Sequence, residues 1–247
     1  MAGHDKSVMA PDSRGVWCLT ADLDLLSRLG ASGFDWMALD AQHGALDRAA
    51  LHAVGRVLSG ARVPFVVRVP SVDPGWIGLA LDAGARAVVV PSVTTVEDAV
   101  TAARACRYPP LGERSWGQLA PLWGGTAVPP DEANAAVRCA VMIETAGALD
   151  DVEAIAATPG VDLLFVGPLD LSFSLGTTVD ALLDDDGADS PLRRVAAAAG
   201  AAGIGVGAFA GSAEVATRMR AHGIRCLAVT TDVSIVDAGV AAALSAD

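Results

Sequence analysis

This 247-residue sequence has almost no lysine and no clustered cysteine. The one lysine is Lys6, near the N-terminus, and the four cysteines lie far apart, at Cys18, Cys106, Cys139 and Cys226. Schiff-base catalysis needs a buried lysine amine, so this type of covalent chemistry is excluded. Without a CxxC pair or a histidine at zinc-finger spacing, the cysteines are interpreted as small apolar core residues. Free thiols of this kind predict a reducing, cytoplasmic setting.

Positive charge and long hydrophobic runs are also scarce. Lysine and arginine number 17 against 29 aspartate and glutamate residues, which leaves a formal net charge of −12. Nucleic-acid binding needs a basic surface, so no nucleic-acid partner is expected. No apolar run reaches the length of about 18 residues that would span a membrane. The N-terminal stretch lacks the apolar centre of a signal peptide, and residues 1–14 are expected to form a flexible tail.

Apolar residues are abundant, at 52% of the chain, and many are concentrated in eight short runs. The runs predicted as strands are Val16–Leu19, Trp36–Asp40, Phe65–Val69, Ala87–Pro91, Ala140–Glu144, Leu163–Gly167, Ile204–Ala208 and Cys226–Thr230. Near-continuous apolar runs are typical of parallel strands buried on both faces. Helix-like segments rich in alanine and leucine lie between them. Eight such units in about 250 residues predict one domain, a (β/α)8 TIM barrel over residues 15–247, with a doubly wound open sheet as the rival α/β fold.

Two longer segments interrupt this alternation. Residues 107–130 are rich in proline and glycine, and a loop of this length is usually functional. Residues 176–189 include the run Asp184-Asp185-Asp186. Adjacent carboxylates diverge and repel one another, so a solvated acidic loop is favoured there over a metal site.

Polar residues at the ends of the apolar runs mark the candidate site, because the chemistry of a barrel lies at the C-terminal ends of its strands. They are Asp40, His43, Arg68, Glu144, Asp170, Thr231 and Asp232. Glu144 and Asp170 follow the neighbouring fifth and sixth runs, so the two carboxylates can meet on one cation. Carboxylates without a thiolate or histidine cluster suit Mg²⁺, Mn²⁺ or a similar ion. The alternative is that both residues are helix N-caps or ion-pair partners.

Two cationic side chains belong to the same set. Arg68 ends the third run, and the planar fork of its guanidinium suits a carboxylate or an enolate. His43 lies in the turn after the second run, where a histidine can transfer protons near neutral pH. A buried Arg–Asp pair and a simple turn histidine are the structural alternatives.

Several blocks of residues occur in a distinctive order between about residues 15 and 238. They are Phe34-Asp35-Trp36 to Asp40-Ala41-Gln42-His43-Gly44, Val67-Arg68-Val69-Pro70 with Asp73-Pro74, Leu81-Asp82-Ala83-Gly84-Ala85 to Val90-Pro91, Arg107-Tyr108-Pro109-Pro110 to Gly112-Glu113-Arg114, Met142-Ile143-Glu144-Thr145, and Val166-Gly167-Pro168-Leu169-Asp170-Leu171-Ser172. Together they resemble the HpcH/HpaI family of metal-dependent (class II) pyruvate aldolases. The resemblance implies an enzyme that cleaves or forms 4-hydroxy-2-oxo acids, to or from pyruvate and an aldehyde. It also implies a metal-stabilised pyruvate enolate as the intermediate.

The resemblance implies roles for individual catalytic residues. His43 aligns with the family's general base, and Asp82 with an acid that raises the basicity of this histidine. Arg68 aligns with the residue that stabilises the enolate, and Asp40 is counted with these catalytic residues. Asp82 falls at a helix end before the fourth strand, which in one chain is the opposite rim of the barrel. A neighbouring subunit is therefore expected to supply it.

The resemblance also implies the metal and substrate contacts. Glu144 and Asp170 align with ligands of Mg²⁺, Mn²⁺ or Co²⁺, and backbone amides of the segment Gly167-Pro168-Leu169-Asp170 would hold the pyruvate carboxylate. Better-known members have glutamine where this chain has Met142, and alanine where it has Leu169. Two further residues differ from the family pattern. Gln42 stands where some relatives have an acidic residue, and Ser115 stands where a glycine usually follows the arginine at position 114. The acceptor pocket is therefore expected to differ from theirs.

Members of this family are usually hexamers, built as trimers of dimers with a C-terminal helix exchanged between partners. The Ala-rich segment Val236–Leu244 is consistent with such a helix. Two alternatives stay open at this point. One is related enolate chemistry: oxaloacetate decarboxylation, an acyl-thioester C–C lyase, or a biosynthetic C–C bond-forming enzyme. The other is a non-catalytic barrel that binds a small acid or a partner protein.

Overall fold

Eight parallel strands form a closed barrel in the computed structural model, which describes residues 8–245. They are β1 (Arg14–Cys18), β2 (Trp36–Asp40), β3 (Phe65–Arg68), β4 (Ala87–Val90), β5 (Arg138–Ile143), β6 (Leu163–Val166), β7 (Gly205–Phe209) and β8 (Cys226–Thr231). Each strand pairs with its neighbours in the sequence, and β8 closes the barrel against β1. The predicted (β/α)8 barrel is confirmed, and the open sheet is wrong.

Helices follow the strands around the outside of the barrel. They are α1 (Leu23–Gly30), α2 (Arg48–Leu58), α3 (Pro74–Asp82), α4 (Val96–Ala105), α5 (Pro130–Ala136), α6 (Ala146–Asp150), α7 (Val152–Ala156), α8 (Pro168–Ser174), α9 (Val179–Asp184), α10 (Pro191–Ala202), α11 (Ala213–Ala221) and α12 (Asp232–Leu244). Several begin at an N-cap side chain that accepts a bond from a backbone N–H in the first turn, as Asp47 does for α2 and Thr95 for α4. None of the helices within residues 8–245 is long and apolar enough to cross a lipid bilayer.

All eight predicted strands are present, and their ends differ from prediction by at most two residues. The largest differences are at β1 and β5, which begin at Arg14 and Arg138 instead of Val16 and Ala140. Backbone pairing continues past the apolar run in both cases, since Arg14 pairs with Leu227 and Arg138 with Ala87. A charged side chain at a strand end can point to solvent, so hydrophobicity alone places the boundary too late.

The inside of the barrel is filled by its own apolar cluster, separate from the layer between strands and helices. Its members include Trp17, Trp36, Val66, Val89, Ala140, Met142, Phe165 and Ala228. The four cysteines are buried and free, as interpreted from the sequence. Burial raises the pKa of the Cys226 thiol to about 12, which keeps it protonated and unreactive.

The N-terminal segment differs from the flexible tail predicted for residues 1–14. Val8 and Met9 are buried in the cluster inside the barrel, and Ser13 accepts a hydrogen bond of 3.0 Å from Trp36 Nε1. These residues close the N-terminal end of the barrel, because two apolar side chains there cover surface that would otherwise face water. Residues 1–7, the rest of the predicted tail, lie outside the described residues.

The two long connecting segments also contain short helices. The segment after α4 includes a 3₁₀ turn at Ala120–Trp123, and α9 lies within the acidic region predicted as a solvated loop. In α9, Asp180 and Asp184 are exposed at its surface and both pair with Arg218, at 2.8 and 2.7 Å. The acidic side chains are therefore solvated ion-pair partners, although part of their segment is helical.

Candidate active site

The barrel brings all seven of the predicted polar residues to its C-terminal rim. Thr231 ends β8 and caps α12, and the buried Asp232 accepts the backbone N–H groups of Leu19 and Thr20, at 3.0 and 2.9 Å, so these two residues stabilise the rim.

The other five predicted residues are ionisable side chains that follow β2, β3, β5 and β6. Asp40 and Arg68 are the last residues of β2 and β3 and lie opposite each other in the strand register. His43 lies in the turn that follows β2, and Glu144 directly follows β5. Asp170 lies in the first turn of α8, close after β6. The convergence predicted from the sequence is a consequence of where each strand ends.

Asp40 and Arg68 form a two-pronged ion pair. Arg68 Nε donates to Asp40 Oδ1 at 2.9 Å, and Arg68 Nη2 donates to Asp40 Oδ2. Asp40 is 1% exposed and Arg68 9% exposed, so little water competes for these bonds. Asp40 Oδ1 also accepts the backbone N–H groups of Gln42 and His43, at 2.9 and 3.1 Å. One carboxylate thus fixes both the guanidinium and the turn that carries His43.

Trp17, near the end of β1, is a further member of the site that the sequence analysis missed. Its Nε1–H donates to Asp40 Oδ2 at 3.1 Å, and its ring lies 5.1 Å from the Arg68 guanidinium carbon. Burial alone would raise the pKa of Asp40. Hydrogen bonds from Arg68, the charge of Arg68, and donation from His43 and Trp17 outweigh burial and lower this pKa. The available signal was an indole two residues before the end of the first apolar run.

Glu144 is held from both sides at the mouth of the barrel. Its Oε1 accepts the backbone N–H of Ser92 at 2.6 Å, and Ser92 adopts a left-handed conformation with φ +55°. Its Oε2 faces Gly167 so closely that a Cβ at that position would lie 2.7 Å from the oxygen. Any side chain larger than that of glycine at position 167 would therefore collide with the carboxylate of Glu144.

The electrostatics of Glu144 show which charges share this rim. Burial raises the pKa of Glu144, and the negative charge of Asp170 raises it further. The Ser92 N–H and the positive charges of Arg68 and His43 act in the opposite direction without cancelling the rise. A cation bound beside Glu144 would offset the negative charge of Asp170 and favour the ionised form of Glu144.

Neither Glu144 nor Asp170 is a helix N-cap. The N-cap of α6 is Thr145, whose side chain accepts the N–H of Ala148 at 3.0 Å, so Glu144 is not a cap. Asp170 is inside α8, whose N-cap is Gly167. Across residues 8–245, neither carboxylate takes part in an ion pair. The buried Arg–Asp pair that the sequence analysis kept as an alternative is present, between Arg68 and Asp40.

The donor set fits a hard divalent cation. Glu144 and Asp170 offer carboxylate oxygens, and Gly167 leaves space beside Glu144 Oε2. Within the described part of the chain there is no cluster of three or more His, Cys, Asp or Glu side chains suited to a metal. Glu144 and Asp170 would hold such an ion and would leave room for water and for a substrate with two oxygen donors, as is common for Mg²⁺.

Asp82 lies away from this rim. It ends α3, the helix that runs from β3 back towards the start of β4, and therefore lies at the N-terminal face. Its Oδ1 accepts a bond of 2.6 Å from Arg114 Nη2. Burial raises the pKa of Asp82, although Arg114 opposes the rise. Asp82 and His43 of one chain therefore lie at opposite ends of the barrel. This agrees with the prediction from the position of Asp82 in the sequence.

The predicted substrate-binding segment forms the start of α8. Gly167 and Pro168 are buried against the barrel mouth, whereas Leu169 is 54% exposed beside Asp170. Met142 points into the barrel, is 2% exposed, and has its terminal methyl group against Gly167. An apolar methionine thus packs against Gly167, the same residue that contacts Glu144.

Comparison with known proteins identifies the family. Residues 13–237 match the sequence profile of the HpcH/HpaI aldolase/citrate lyase family. The chain belongs to this family. It is therefore an enzyme of the carbon–carbon lyase class, and the prediction of a non-catalytic barrel, kept as an alternative, is wrong.

Individual members of the HpcH/HpaI family are similar along most of their length. A hydroxypyruvate/pyruvate aldolase of Paraburkholderia phytofirmans is 36% identical, with 89% of this chain and 86% of that protein covered. A 4-hydroxy-2-oxovalerate aldolase of Novosphingobium aromaticivorans is 38% identical, with 78% and 76% covered. The crystal structure of an HpcH/HpaI aldolase/citrate lyase family protein from Burkholderia cenocepacia superposes with a TM-score of 0.84 at 36% identity, covering 95% and 93%.

Proposed function

We propose that this HpcH/HpaI enzyme is a divalent-metal-dependent pyruvate aldolase. It would cleave or form 4-hydroxy-2-oxo acids, with pyruvate and an aldehyde as the other partners of the reaction. The observation that carries the proposal is the meeting of Glu144, Asp170, Arg68 and His43 at one end of the barrel. Relatives named hydroxypyruvate/pyruvate aldolase and 4-hydroxy-2-oxovalerate aldolase support the same reaction class.

Glu144 and Asp170 would hold the cation, Mg²⁺, Mn²⁺ or Co²⁺. When bound, such an ion supplies Lewis-acid stabilisation to the oxygens of a 2-oxo acid. The methyl protons of pyruvate are too weakly acidic for a histidine alone, so this stabilisation is a requirement of the proposal. The closeness of two carboxylates and the raised pKa of Glu144 support a site built for positive charge.

Arg68 would stabilise the negative charge that develops on the C2 oxygen in the transition state. Its Nε and Nη2 are engaged by Asp40, so the plane of the guanidinium is fixed before substrate arrives. A donor that needs no reorientation during the reaction stabilises the transition state more effectively than a mobile one. Free N–H groups in the first turn of α8, at Leu169 and Asp170, would hold the substrate carboxylate.

His43 would move the proton. In the cleavage direction His43 would accept the proton of the 4-hydroxyl group. The C3–C4 bond then breaks, and the electron pair of that bond passes into the pyruvate enolate. An aldehyde leaves, and the enolate carbon then takes a proton to give pyruvate. His43 is exposed at the rim, in a turn whose backbone is fixed by Asp40. This position gives it access to a substrate that enters from solvent.

We further propose that the enzyme is a homo-oligomer, a hexamer arranged as a trimer of dimers, in which Asp82 of one subunit serves His43 of another. Asp82 lies at the opposite end of its own barrel, so only a second copy can bring the two together. Helix α12 supports association, because Val236, Val240 and Leu244 repeat every four residues and are all exposed. Mixing His43→Ala and Asp82→Ala chains tests this: restored activity in mixed oligomers is expected, and no restoration contradicts the shared site.

A second candidate, related enolate chemistry, is favoured by Met142 and Leu169. Met142 packs against Gly167 next to Glu144, and the exposed Leu169 precedes Asp170, so both apolar side chains would alter the pocket around the reacting carbons. Decarboxylation of oxaloacetate or a biosynthetic C–C bond formation would use the same pyruvate enolate, whereas a C–C lyase acting on an acyl-thioester would form the enolate of the thioester. Each of these needs the carboxylates and Arg68 but a different electrophile.

One assay separates these candidates. Release of pyruvate would be measured from several 4-hydroxy-2-oxo acids and from oxaloacetate, with Mg²⁺, Mn²⁺ or Co²⁺ and with chelator. The aldolase proposal predicts metal-dependent cleavage of at least one 4-hydroxy-2-oxo acid and the reverse condensation with its aldehyde. Turnover of oxaloacetate alone would favour the second candidate, and full turnover in chelator would contradict both.

A further inference from the structure

Trp17 makes two different contacts with the same ion pair, and neither is needed to fill space. Its Nε1–H donates to Asp40 Oδ2 at 3.1 Å, while the face of its ring lies 5.1 Å from the Arg68 guanidinium carbon. The first contact is a hydrogen bond to a charged acceptor, and the second is a cation–π interaction. An aliphatic side chain would provide neither contact, and an aromatic side chain without the N–H would provide only the second.

The indole is itself held in a fixed orientation. Phe165 stacks on it with ring centroids 5.7 Å apart, and Phe209 meets it edge-on at 5.6 Å. Trp17 is buried at the inner surface of β1, so its ring has little freedom to turn. A rigid donor of this kind sets the direction of the bond that it makes.

The acceptor of that bond controls the guanidinium. Asp40 Oδ1 is bound by Arg68 Nε and by two backbone N–H groups, whereas Oδ2 is bound by Arg68 Nη2 and Trp17. Among residues 8–245, Trp17 is the one side chain other than Arg68 that donates to Asp40. The indole therefore sets the second oxygen of the carboxylate, and through it the plane of the guanidinium.

We propose that Trp17 is a positioning residue for Arg68: by binding Asp40 and facing the guanidinium, it aims the fixed positive charge at the enolate oxygen. This inference rests on the proposed enolate chemistry. Because the charge on the substrate oxygen develops only in the transition state, loss of aim lowers kcat and leaves substrate binding largely unchanged. Small misplacements of a catalytic group are costly for this reason.

The chain offers a matched control in Trp36. It is buried inside the same barrel, on the neighbouring strand, and its Nε1–H also donates to a side chain, Ser13 Oγ at 3.0 Å. That bond lies at the N-terminal end of the barrel, away from Arg68. Replacing either tryptophan by phenylalanine removes one N–H and part of one ring from the same core.

The kinetic test compares Trp17→Phe with Trp36→Phe in the exchange of pyruvate methyl protons with D₂O. Trp17→Phe is expected to lower kcat on the order of 10-fold with a nearly unchanged KM, which is the size expected for one hydrogen bond to a charged group. Trp36→Phe is expected to leave kcat unchanged although it lowers the melting temperature. Equal kcat values for the two variants would overturn the proposal.

A double-mutant cycle separates positioning from packing. In an Arg68→Ala background, Trp17→Phe is expected to cause no further loss of kcat, because the group that it positions is gone. The same loss in both backgrounds would mean that Trp17 acts without Arg68 and would overturn the proposal. Trp17→benzothienylalanine, which keeps the bicyclic shape and lacks the N–H, provides the same test if the phenylalanine variant folds poorly.

Crystal structures of the Trp17 variants give a readout that does not depend on activity. The guanidinium of Arg68 is expected to turn out of the plane of the Asp40 carboxylate, whereas in Trp36→Phe it stays in place. An unmoved guanidinium in the Trp17 variants would overturn the positioning role. If the wild-type enzyme exchanged no pyruvate protons, the proposed function would fail, and the crystal structures would still decide the role of Trp17.

Discussion

The two ends of this barrel use similar materials for different purposes. Each has a buried tryptophan from neighbouring strands, Trp17 near the C-terminal rim and Trp36 towards the N-terminal end, and each indole donates to an oxygen. At the N-terminal end the acceptor is the neutral hydroxyl of Ser13, with Val8 and Met9 packed around it. At the C-terminal end the acceptor is an ionised carboxylate paired with Arg68.

The difference shows where the chain accepts a cost in stability. Burying a neutral hydrogen bond among apolar side chains costs little once the bond is made. Burying Asp40 and Arg68, and placing Glu144 near Asp170, is expensive unless each charge is satisfied. At the C-terminal rim these charged groups converge on the candidate site, whereas the largely buried pair of Asp82 and Arg114 lies at the N-terminal face, away from that rim. Substitutions at the two ends should therefore separate loss of activity from loss of stability.

The largest expected effect is at the carboxylates of the C-terminal rim. Glu144→Gln keeps the size of the side chain and removes its charge, so activity should fall on the order of 10³-fold, since a bound dication contributes several kcal/mol. Steady-state assays with added Mg²⁺ or Mn²⁺ measure this. Glu153→Gln is the matched control, because Glu153 is an exposed partner of Arg194 and its loss should leave activity unchanged. Equal activity in the two variants would contradict the assignment of Glu144.

Arg68→Ala should be the next most damaging change. Removal of one donor to a developing oxyanion lowers kcat by about 10²- to 10³-fold. The same change leaves Asp40 buried without its cation and should cost about 3–5 kcal/mol in the free energy of unfolding. Denaturant titration and proton-exchange kinetics measure the two losses separately. A stability loss with unchanged exchange would mean that the Asp40–Arg68 pair is structural only.

The pH dependence should distinguish Glu144 from an ordinary glutamate. Its pKa is raised by burial and by Asp170, so protons compete with the cation at a higher pH than usual. Cation affinity should then fall by up to about tenfold per pH unit below that pKa. The free energy of unfolding of the metal-free protein should depend on pH in the opposite direction. Because the pKa of Glu144 is raised in the folded state, its contribution to stability is present at low pH and is lost as the pH rises through that pKa. Calorimetric titration of Mn²⁺ at several pH values measures this affinity. The His43→Ala variant is used because it removes a second titratable side chain from the rim. If the affinity begins to fall only at the pH where an ordinary glutamate is protonated, the raised pKa of Glu144 is contradicted.

The smallest effect on activity is expected at the N-terminal end. Met9→Ala removes buried apolar volume and should lower the free energy of unfolding by about 2–5 kcal/mol. The kcat of the folded fraction should be unchanged, because Met9 lies at the far end from Glu144 and Arg68. Denaturant titration and kcat measured below the unfolding transition check this. A large fall in kcat at full folding would break the division between the two ends.

The sequence predicts the fold and the acidic half of the site well, for identifiable reasons. Parallel barrel strands are apolar on both faces, so each appears as a run, and polar residues after a run fall at one rim. The sequence therefore predicts that Asp40, Arg68, Glu144 and Asp170 meet at one rim. The contact between Asp40 and Arg68 follows from their equivalent positions on adjacent strands.

Other features depend on three-dimensional contacts that a linear pattern does not contain. Trp17 looks like any apolar residue of a strand, and its role arises from a register that brings its N–H to Asp40. The packing of Val8 and Met9 depends on an open barrel end that exists only after folding. Ser92 contributes a backbone N–H to Glu144, which its side-chain type does not reveal.

The most direct test of the central claim is the incorporation of deuterium into the methyl group of pyruvate, followed by NMR in D₂O. Wild-type enzyme should catalyse this exchange with Mg²⁺ or Mn²⁺, lose it in chelator and regain it when the ion is restored, while Glu144→Gln should exchange on the order of 10³-fold more slowly even with added ion. Undiminished exchange in chelator, or in the Glu144→Gln variant, would contradict a dication held by Glu144 and Asp170 as the basis of enolate formation.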